Sequence, residues 1–342
     1  MQKKQPQTVR KTSTPKKPLA YGLHHQTHKG KPASLAKRRR KKIRWSRVAM
    51  LTIVAAGLGY VSFWTARSGL PQLYTRLRSD WQQVSSAPLP YSSRAYKVLT
   101  EQIASYLAKQ PGHFAVAGTD LVTGVQYGVH QNAVVNAAQT VALPVAITLY
   151  SDIAQGLIHK NTIIKLQAGD KQAGPGYIGG MPDGTSFTAA QLARAAIVDS
   201  DVTATNMLIR FLGQDQINSF MTTMGSSGSI AEPRLTTPYD LSLYLDYLYT
   251  MDQAHGQSVS PLLRDLFATP SQGRIASAAK TDVKIAHVLG NWPNEFADAA
   301  LLWVSGHPIS LVITSNGVNE IEAATVESHL AHMVVSFTKK GY

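Results

Sequence analysis

The feature that most limits what this chain can fold into is a run of 19 uncharged residues, VAMLTIVAAGLGYVSFWTA at 48–66, entered directly from the basic stretch KRRRKKIRWSR at 37–47. As an α-helix such a run is roughly 28 Å long, about the hydrocarbon thickness of a bilayer. A cleaved secretory peptide has an apolar region of about 7–15 residues followed by a small-residue cleavage site. Here the run is longer and ends in FWTARSG, which offers no good site, so it reads as an uncleaved, single-pass transmembrane helix. Lys and Arg crowd one flank only, and the positive-inside rule then places the N-terminus in the cytoplasm and the rest of the chain outside the cell membrane. Trp45, Tyr60 and Trp64 stand near its ends, as interfacial aromatics do.

The net charge of +14 divides at this segment: 16 of the 34 Lys and Arg residues precede residue 48, and none of the 20 Asp and Glu residues does. The part beyond is therefore slightly acidic, and the basic excess belongs to a tail, 1–47, that is poor in large apolar side chains. Such a tail cannot bury enough surface to offset its ordering entropy and is expected to be disordered. Its basic run serves topology and attraction to anionic lipid, worth about 1 kcal/mol per residue near the surface. Nucleic acid is not the expected partner; a working role for the tail itself, with the exported part as anchor or sensor, stays open. The chain has no cysteine, so the exported part uses no disulfides.

Residues 67–92 read as a membrane-proximal stem, closed by the turn-rich SSAPLPYSS at 85–93. The pattern from 93 to 342 is that of an ordered domain. AYKVLTEQIASYLAK at 95–109 sets Val98, Ile103 and Leu107 at helical spacing, and HFAVAGTDLVTGVQYGV at 113–129 alternates about Thr123-Gly124 as a hairpin does. NAAQTVALPVAITLY at 136–150 opens a helix with Pro144 early and continues to about residue 156. Further helices are predicted at 188–199, capped by Thr188, at 203–212 and at 238–251. Strands at 298–304 and 309–314 and a closing helix at 320–337 follow. The fold class is α+β: an antiparallel sheet flanked by terminal helices, with an inserted all-helical lobe.

Five segments, in this order, resemble the class A β-lactamases and penicillin-recognising serine hydrolases. They are AAQTVALPVAITLY (137–150), PDGTSFTAAQLARAAIVDSDVTATNMLI (182–209), TTPYDLSLYL (236–245), GRIASAAKTDVKIAHVLGNW (273–292) and ISLVITSNGV (309–318). The resemblance covers about 93–342 and implies a β-lactamase/transpeptidase-like fold. It also implies three catalytic constellations. The first, S-x-x-K at a helix start, places an attacking hydroxyl and a proton-handling amine on one face; the matching positions are Gln139 and Ala142, which can do neither. The second, S-D-N, matches Ser200, Asp201 and Val202, so the substrate-holding amide is gone and the retained pair reads as a helix cap. The third, K-T-G on a strand beside the cleft, matches Val288, Leu289 and Gly290, where only the glycine survives. No serine lies between Asn132 and Leu149, so no shift of register restores the nucleophile.

The deacylating Glu that the family carries before its TTP segment has one local candidate, Glu232, in a segment much shorter than the family's loop, and it reads as a solvated surface residue. The 11 histidines show no metal-ligand spacing, there is no phosphate-binding glycine loop, and no cofactor or metal is called for. The expected molecule is a membrane-anchored pseudoenzyme of the β-lactamase-like, penicillin-binding fold. It is expected to act as a binding or scaffolding module in the bacterial cell envelope, with cell-wall peptide or an envelope protein as partner. Its ligand cleft would be lined by Gln139, Ser200, Val288, Leu289 and Gly290. The alternative is a hydrolase or transpeptidase acting on β-lactams or peptidoglycan through Ser200, Asp201 or Glu232.

Overall fold

Alternation about Thr123-Gly124 produces the predicted hairpin: β1 (His113–Asp120) turns into β2 (Gln126–Val129). Asp120 closes the turn by accepting the N–H groups of Val122 and Thr123 at 2.9 and 3.0 Å, and Gly124 supplies the left-handed φ of 71° that the reversal needs. The computed structural model describes residues 92–270 and 273–341; the expected tail, transmembrane segment and nearly all of the stem lie outside the described residues.

Near the other end of the chain, β7 (Val283–Trp292), β8 (Glu295–Val304) and β9 (His307–Asn316) form a meander. The five strands lie in the order β2-β1-β9-β8-β7, every neighbouring pair antiparallel, so β1 and β9 join the N- and C-terminal parts and β7 is an edge. Two short pairs stand apart, β3 (Val135–Asn136) with β6 (Leu235–Thr236) and β4 (Ile163–Lys165) with β5 (Ser186–Thr188).

Each sheet face buries a separate apolar layer. Under one face lie α1 (Ser92–Leu107) and the C-terminal helix α7 (Glu320–Lys340), which bring Leu99, Ile103, Leu330 and Val334 against Val116, Leu302 and Leu311. Against the other face pack α2 (Ala142–Ala154), α3 (Ala189–Val198), α4 (Val202–Leu212), α5 (Gln214–Thr223) and α6 (Pro238–Ala268). Helix α2 is the axis of this lobe: Leu143, Val145, Ile147 and Leu149 are fully buried, each worth about 1.5–3 kcal/mol of transfer free energy.

The helix ends are written locally. Thr188 accepts from Gln191 N–H while Gln191 Oε1 accepts from Thr188 N–H, and the same reciprocal box opens α6 at Thr237/Asp240 and α7 at Asn319/Glu322. Two expectations need correction. The helix expected to end at 251 breaks a few residues on, at the non-helical His255, where φ is −135° and ψ 35°, and an unexpected second helical stretch then runs to Ala268. Gly256 and Pro261 argue for a stop, but Val259, Leu262 and Leu266 are buried in the lobe and hold the second stretch in place. Gln139 sits not in the first turn of an α-helix but in a 3₁₀ turn, Ala138–Val141, that leads into α2.

Candidate functional site

The chain reaches Gln139 through a tightly held approach. Ala137 N–H donates to Arg234 O at 2.9 Å, Asn136 N–H to Glu295 Oε2 at 2.8 Å, and Ala138 N–H to Asn136 Oδ1 at 2.8 Å. Ala138 adopts φ 44°, a left-handed conformation that costs a residue with a Cβ roughly 1–2 kcal/mol and that the three flanking hydrogen bonds enforce. This kink turns the half-buried Gln139 toward the edge of the sheet.

There the side chain finds a partner. Gln139 Oε1 accepts the main-chain N–H of Asn291 at 2.8 Å. Because β7 is the edge strand, that N–H has no neighbouring strand to bond, and in a vacant corner it would face the cleft. The approach is close: a Cβ on Gly290 would stand 2.9 Å from Thr140 Cγ2 and 3.1 Å from Ala137 O, which is why this position is glycine. Ala142 is buried between Val141 and Leu143, and Val288 and Leu289 are buried on the strand. The structure therefore brings Gln139 and Gly290 together, with a main-chain donor satisfied from within and apolar side chains beside it.

The second group of residues serves architecture. Asp201, buried, caps α4 by accepting Ala204 N–H on Oδ1 at 2.8 Å, and its Oδ2 accepts Tyr177 N–H and Ile178 N–H at 2.7 and 2.8 Å. A carboxylate receiving three amide protons pins the glycine-rich 174–180 loop to the helix start. Val202 packs against Gly174, and the half-buried Ser200 precedes the cap at φ 52°. Among the described residues no hydrogen bond ties Ser200 or Asp201 to Gln139. Glu232 points to solvent, its side chain 70% exposed, and pairs with Arg234 Nε at 2.9 Å. Arg234 Nη2 in turn donates to Asn206 Oδ1 at 2.8 Å.

Sequence reasoning did not find the partner of Gln139 or what stands behind it. Asn291 Oδ1 accepts from Arg274 Nη2 at 2.7 Å, and Arg274 Nη1 reaches Ala297 O at 3.2 Å. Fully buried beside this guanidinium are Glu327, 3.6 Å from its Nε, and Asp298, which accepts Ile275 N–H and meets His287 Nδ1 at 3.0 Å. Burial works to lower the His287 pKa. The charge and hydrogen bond of Asp298, with a smaller contribution from the Thr269 carbonyl, outweigh it and hold the imidazole above its usual range, although Nε2 has no well-formed hydrogen bond. Burial pushes the Glu327 carboxyl well above the ordinary carboxylate range, opposed by Arg274 and reinforced by Asp298. The available signal was an ionisable residue inside an apolar run, as in KIAHVLG and FADAALLW.

The comparisons with known proteins bear on family and fold. The model of the β-lactamase enzyme family matches residues 97–337. Among solved structures, the chain is similar to PBP-A at TM-score 0.66 and 20% identity, over 71% of this chain and 96% of that one. It is similar to a β-lactamase from Sphaerobacter thermophilus DSM 20745 at TM-score 0.64 and 21% identity, over 71% and 97%. An ancestral class A β-lactamase, GNCA, aligns at TM-score 0.60 and 21% identity, over 70% and 99%. At these identities the likeness is one of fold. No curated protein sequence matches the chain.

Proposed function

The chain belongs to the β-lactamase enzyme family, and from that premise we propose that it is a pseudoenzyme: a membrane-anchored, non-covalent binding or scaffolding module of the cell envelope. The observation that carries this reading is the Gln139–Asn291 hydrogen bond, in which the residue at the nucleophile's position has no attacking atom and occupies a main-chain donor of the cleft. Loss of a serine nucleophile costs a hydrolase on the order of 10⁶ in turnover, and Ala142, Val288 and Leu289 supply neither amine nor hydroxyl beside it. The proposed ligand site comprises Gln139, Ser200, Val288, Leu289 and Gly290, with cell-wall peptide or an envelope protein as its partner. Incubation of the full-length chain with a fluorescent penicillin is expected to leave no covalent label, and a stoichiometric adduct located by mass spectrometry overturns the reading.

One observation favours a second reading, a hydrolase or transpeptidase working on β-lactams or peptidoglycan through non-standard residues. The Ser200 hydroxyl is half-buried and has no hydrogen-bond partner among the described residues. Turnover of a chromogenic cephalosporin by the unmodified chain, abolished by Ser200→Ala, supports it; no turnover removes it.

The anchor at 48–66 and an extracytoplasmic domain belong to the same proposal, resting on the uncharged run and its one-sided basic flank. The chain lacks cysteine, so single cysteines at Ser13 and Ser93 report topology without background. A membrane-impermeant maleimide applied to intact cells is expected to label the Cys at 93 and not that at 13, and the reverse pattern defeats the assignment.

A further inference from the structure

One end of the five-stranded sheet gathers basic side chains. Strand β1 ends there and β9 begins: Leu121 N–H donates to Pro308 O at 3.1 Å, and His307 Nε2 meets Asp120 Oδ1 at 3.0 Å. The first and last helices meet at the same end. Tyr96, in the first turns of α1, donates its hydroxyl to Asp120 Oδ2 at 3.0 Å, and its ring stands 5.0 Å from that of Phe337, near the close of α7. Lys339 pairs at 2.7 Å with Asp282, whose main-chain O accepts Ser305 N–H at 2.7 Å, so the approach to β7 and the β8–β9 turn join them.

These segments carry Arg94 and Lys97 on α1, Lys280 and Lys284 around the start of β7, and Lys339 and Lys340 on α7, all exposed. Residues 92–342 hold 15 Lys and Arg against 19 Asp and Glu, so six of the fifteen cations of an acidic domain lie at this one end. The carboxylates tied to it by contacts do not cancel them. Asp120 is fully buried and accepts the Tyr96 hydroxyl and the amides of Val122 and Thr123. Asp246 receives the hydroxyls of Thr119 and Ser310, and Asp282 is taken up by Lys339. The other five cations form no salt bridge among the described residues. Beside them, in the β1–β2 turn, Val122 presents an apolar side chain that is 53% exposed.

The path of the chain indicates what meets this end. Residue 92, where α1 starts, is separated from the uncharged run at 48–66 by 25 residues, which span at most roughly 90 Å when fully extended. With that run as the anchor, the tether enters the domain at its basic end and keeps a bilayer at high effective concentration there. Basic side chains around an exposed apolar tip suit an anionic headgroup layer, through Coulomb attraction and shallow burial of the tip.

We propose that this end of the sheet docks on anionic phospholipid of the membrane that anchors the chain, with Arg94, Lys97, Lys280, Lys284 and Lys340 against the phosphates and Val122 at the headgroup boundary. The docking rests on the anchor proposed for 48–66 and is independent of the Gln139 corner. The chain has no cysteine, so Val122→Cys, and Ala108→Cys just beyond the other end of α1, each take one environment-sensitive fluorophore. The labelled full-length chain is placed in nanodiscs carrying a headgroup nitroxide as quencher. In discs containing phosphatidylglycerol the label at 122 is expected to be quenched and the label at 108 not. Quenching at 122 is expected to be lost in pure phosphatidylcholine discs and on raising salt from about 50 to about 500 mM. It is also expected to be lost when Arg94, Lys97, Lys280, Lys284 and Lys340 are all changed to Gln, with the thermal midpoint unchanged because no salt bridge is removed. A chain that does not co-elute with the discs removes the anchor and the docking with it. A chain that co-elutes yet shows no quenching at 122, equal quenching at 108, or undiminished quenching in phosphatidylcholine or in the Gln variant overturns the docking alone. So does an equal spectral shift of the 122 label on adding soluble polyphosphate to phosphatidylcholine discs, which assigns the surface to a soluble polyanion.

Discussion

Strand β7 passes through two contrasting neighbourhoods within five residues. At His287 it meets buried charge: the imidazole pairs with Asp298, and Arg274 and Glu327 lie beside that pair without access to water. From Val288 to Asn291 it meets the 3₁₀ turn that leads into α2, where the polar side chains at the contact, Gln139 and Thr140, are both neutral. Asn291 belongs to both places, giving its main-chain N–H to Gln139 and its side-chain oxygen to Arg274. Buried charges are costly to strand, so a network of this kind is tied to the packing of β7, β8 and α7 around it. The Gln139 corner carries no such obligation. Polar groups there can be exchanged for apolar ones while the strand stays where it is.

This contrast can be broken, and the sharpest blow falls on the charged side. Arg274→Met removes the cation beside Glu327 together with the bonds to Ala297 and Asn291, and is expected to cost about 3–5 kcal/mol in urea unfolding. A companion Glu327→Leu should recover much of that loss. A cost below about 1 kcal/mol for Arg274→Met alone would mean that the network holds nothing. A pH series sharpens the same point. His287 has its pKa raised in the fold, so its contribution is full below about 6.5, the unfolded value, and is lost as pH rises through the folded value. Glu327 is raised as well, which favours the protonated fold and acts in the same direction. The thermal midpoint should therefore fall as pH rises from 6 toward 9, with a shallower slope in the His287→Asn, Glu327→Gln double variant; an equal slope removes both groups from the account.

On the cleft side the effects should be smaller. Gln139→Ala gives up one hydrogen bond at a half-buried position and is expected to cost about 0.5–1.5 kcal/mol, with no gain of penicillin labelling. Glu232→Ala, at an exposed ion pair, should change stability by less than about 0.5 kcal/mol. A large effect of Glu232→Ala on stability would contradict its reading as a surface residue.

What could be read in the chain beforehand follows the range of each interaction. Thr188 announces α3, and Asp201 announces α4, because a cap and the amides it receives are three residues apart or fewer along the helix. The hairpin at Thr123-Gly124 is equally local. The missing nucleophile at Gln139 was visible only as an absence within a resemblance; its bond to Asn291 spans 152 positions and leaves no local pattern. The second half of α6 was hidden because Gly256 and Pro261 speak for a stop, whereas burial of Leu262 and Leu266 is decided by the lobe they enter. Glu327 was hidden among the other glutamates of α7, since a helix with acidic residues at 320, 322 and 327 looks solvent-facing until the sheet covers one of them. Local chemistry told where elements begin, and long-range burial decided where they end and what they enclose.

The single bond between Gln139 and Asn291 also makes this corner a clock. An amide proton on the outer edge of a sheet ordinarily exchanges with solvent deuterium at nearly the free rate, yet this one is held by a side chain from the 3₁₀ turn beside it. Its exchange can proceed when that one contact lets go, without the rest of β7 unpairing. The rate at Asn291, compared with that of its neighbours and with the same proton in Gln139→Ala, measures how often the Gln139 side chain lets go of the strand.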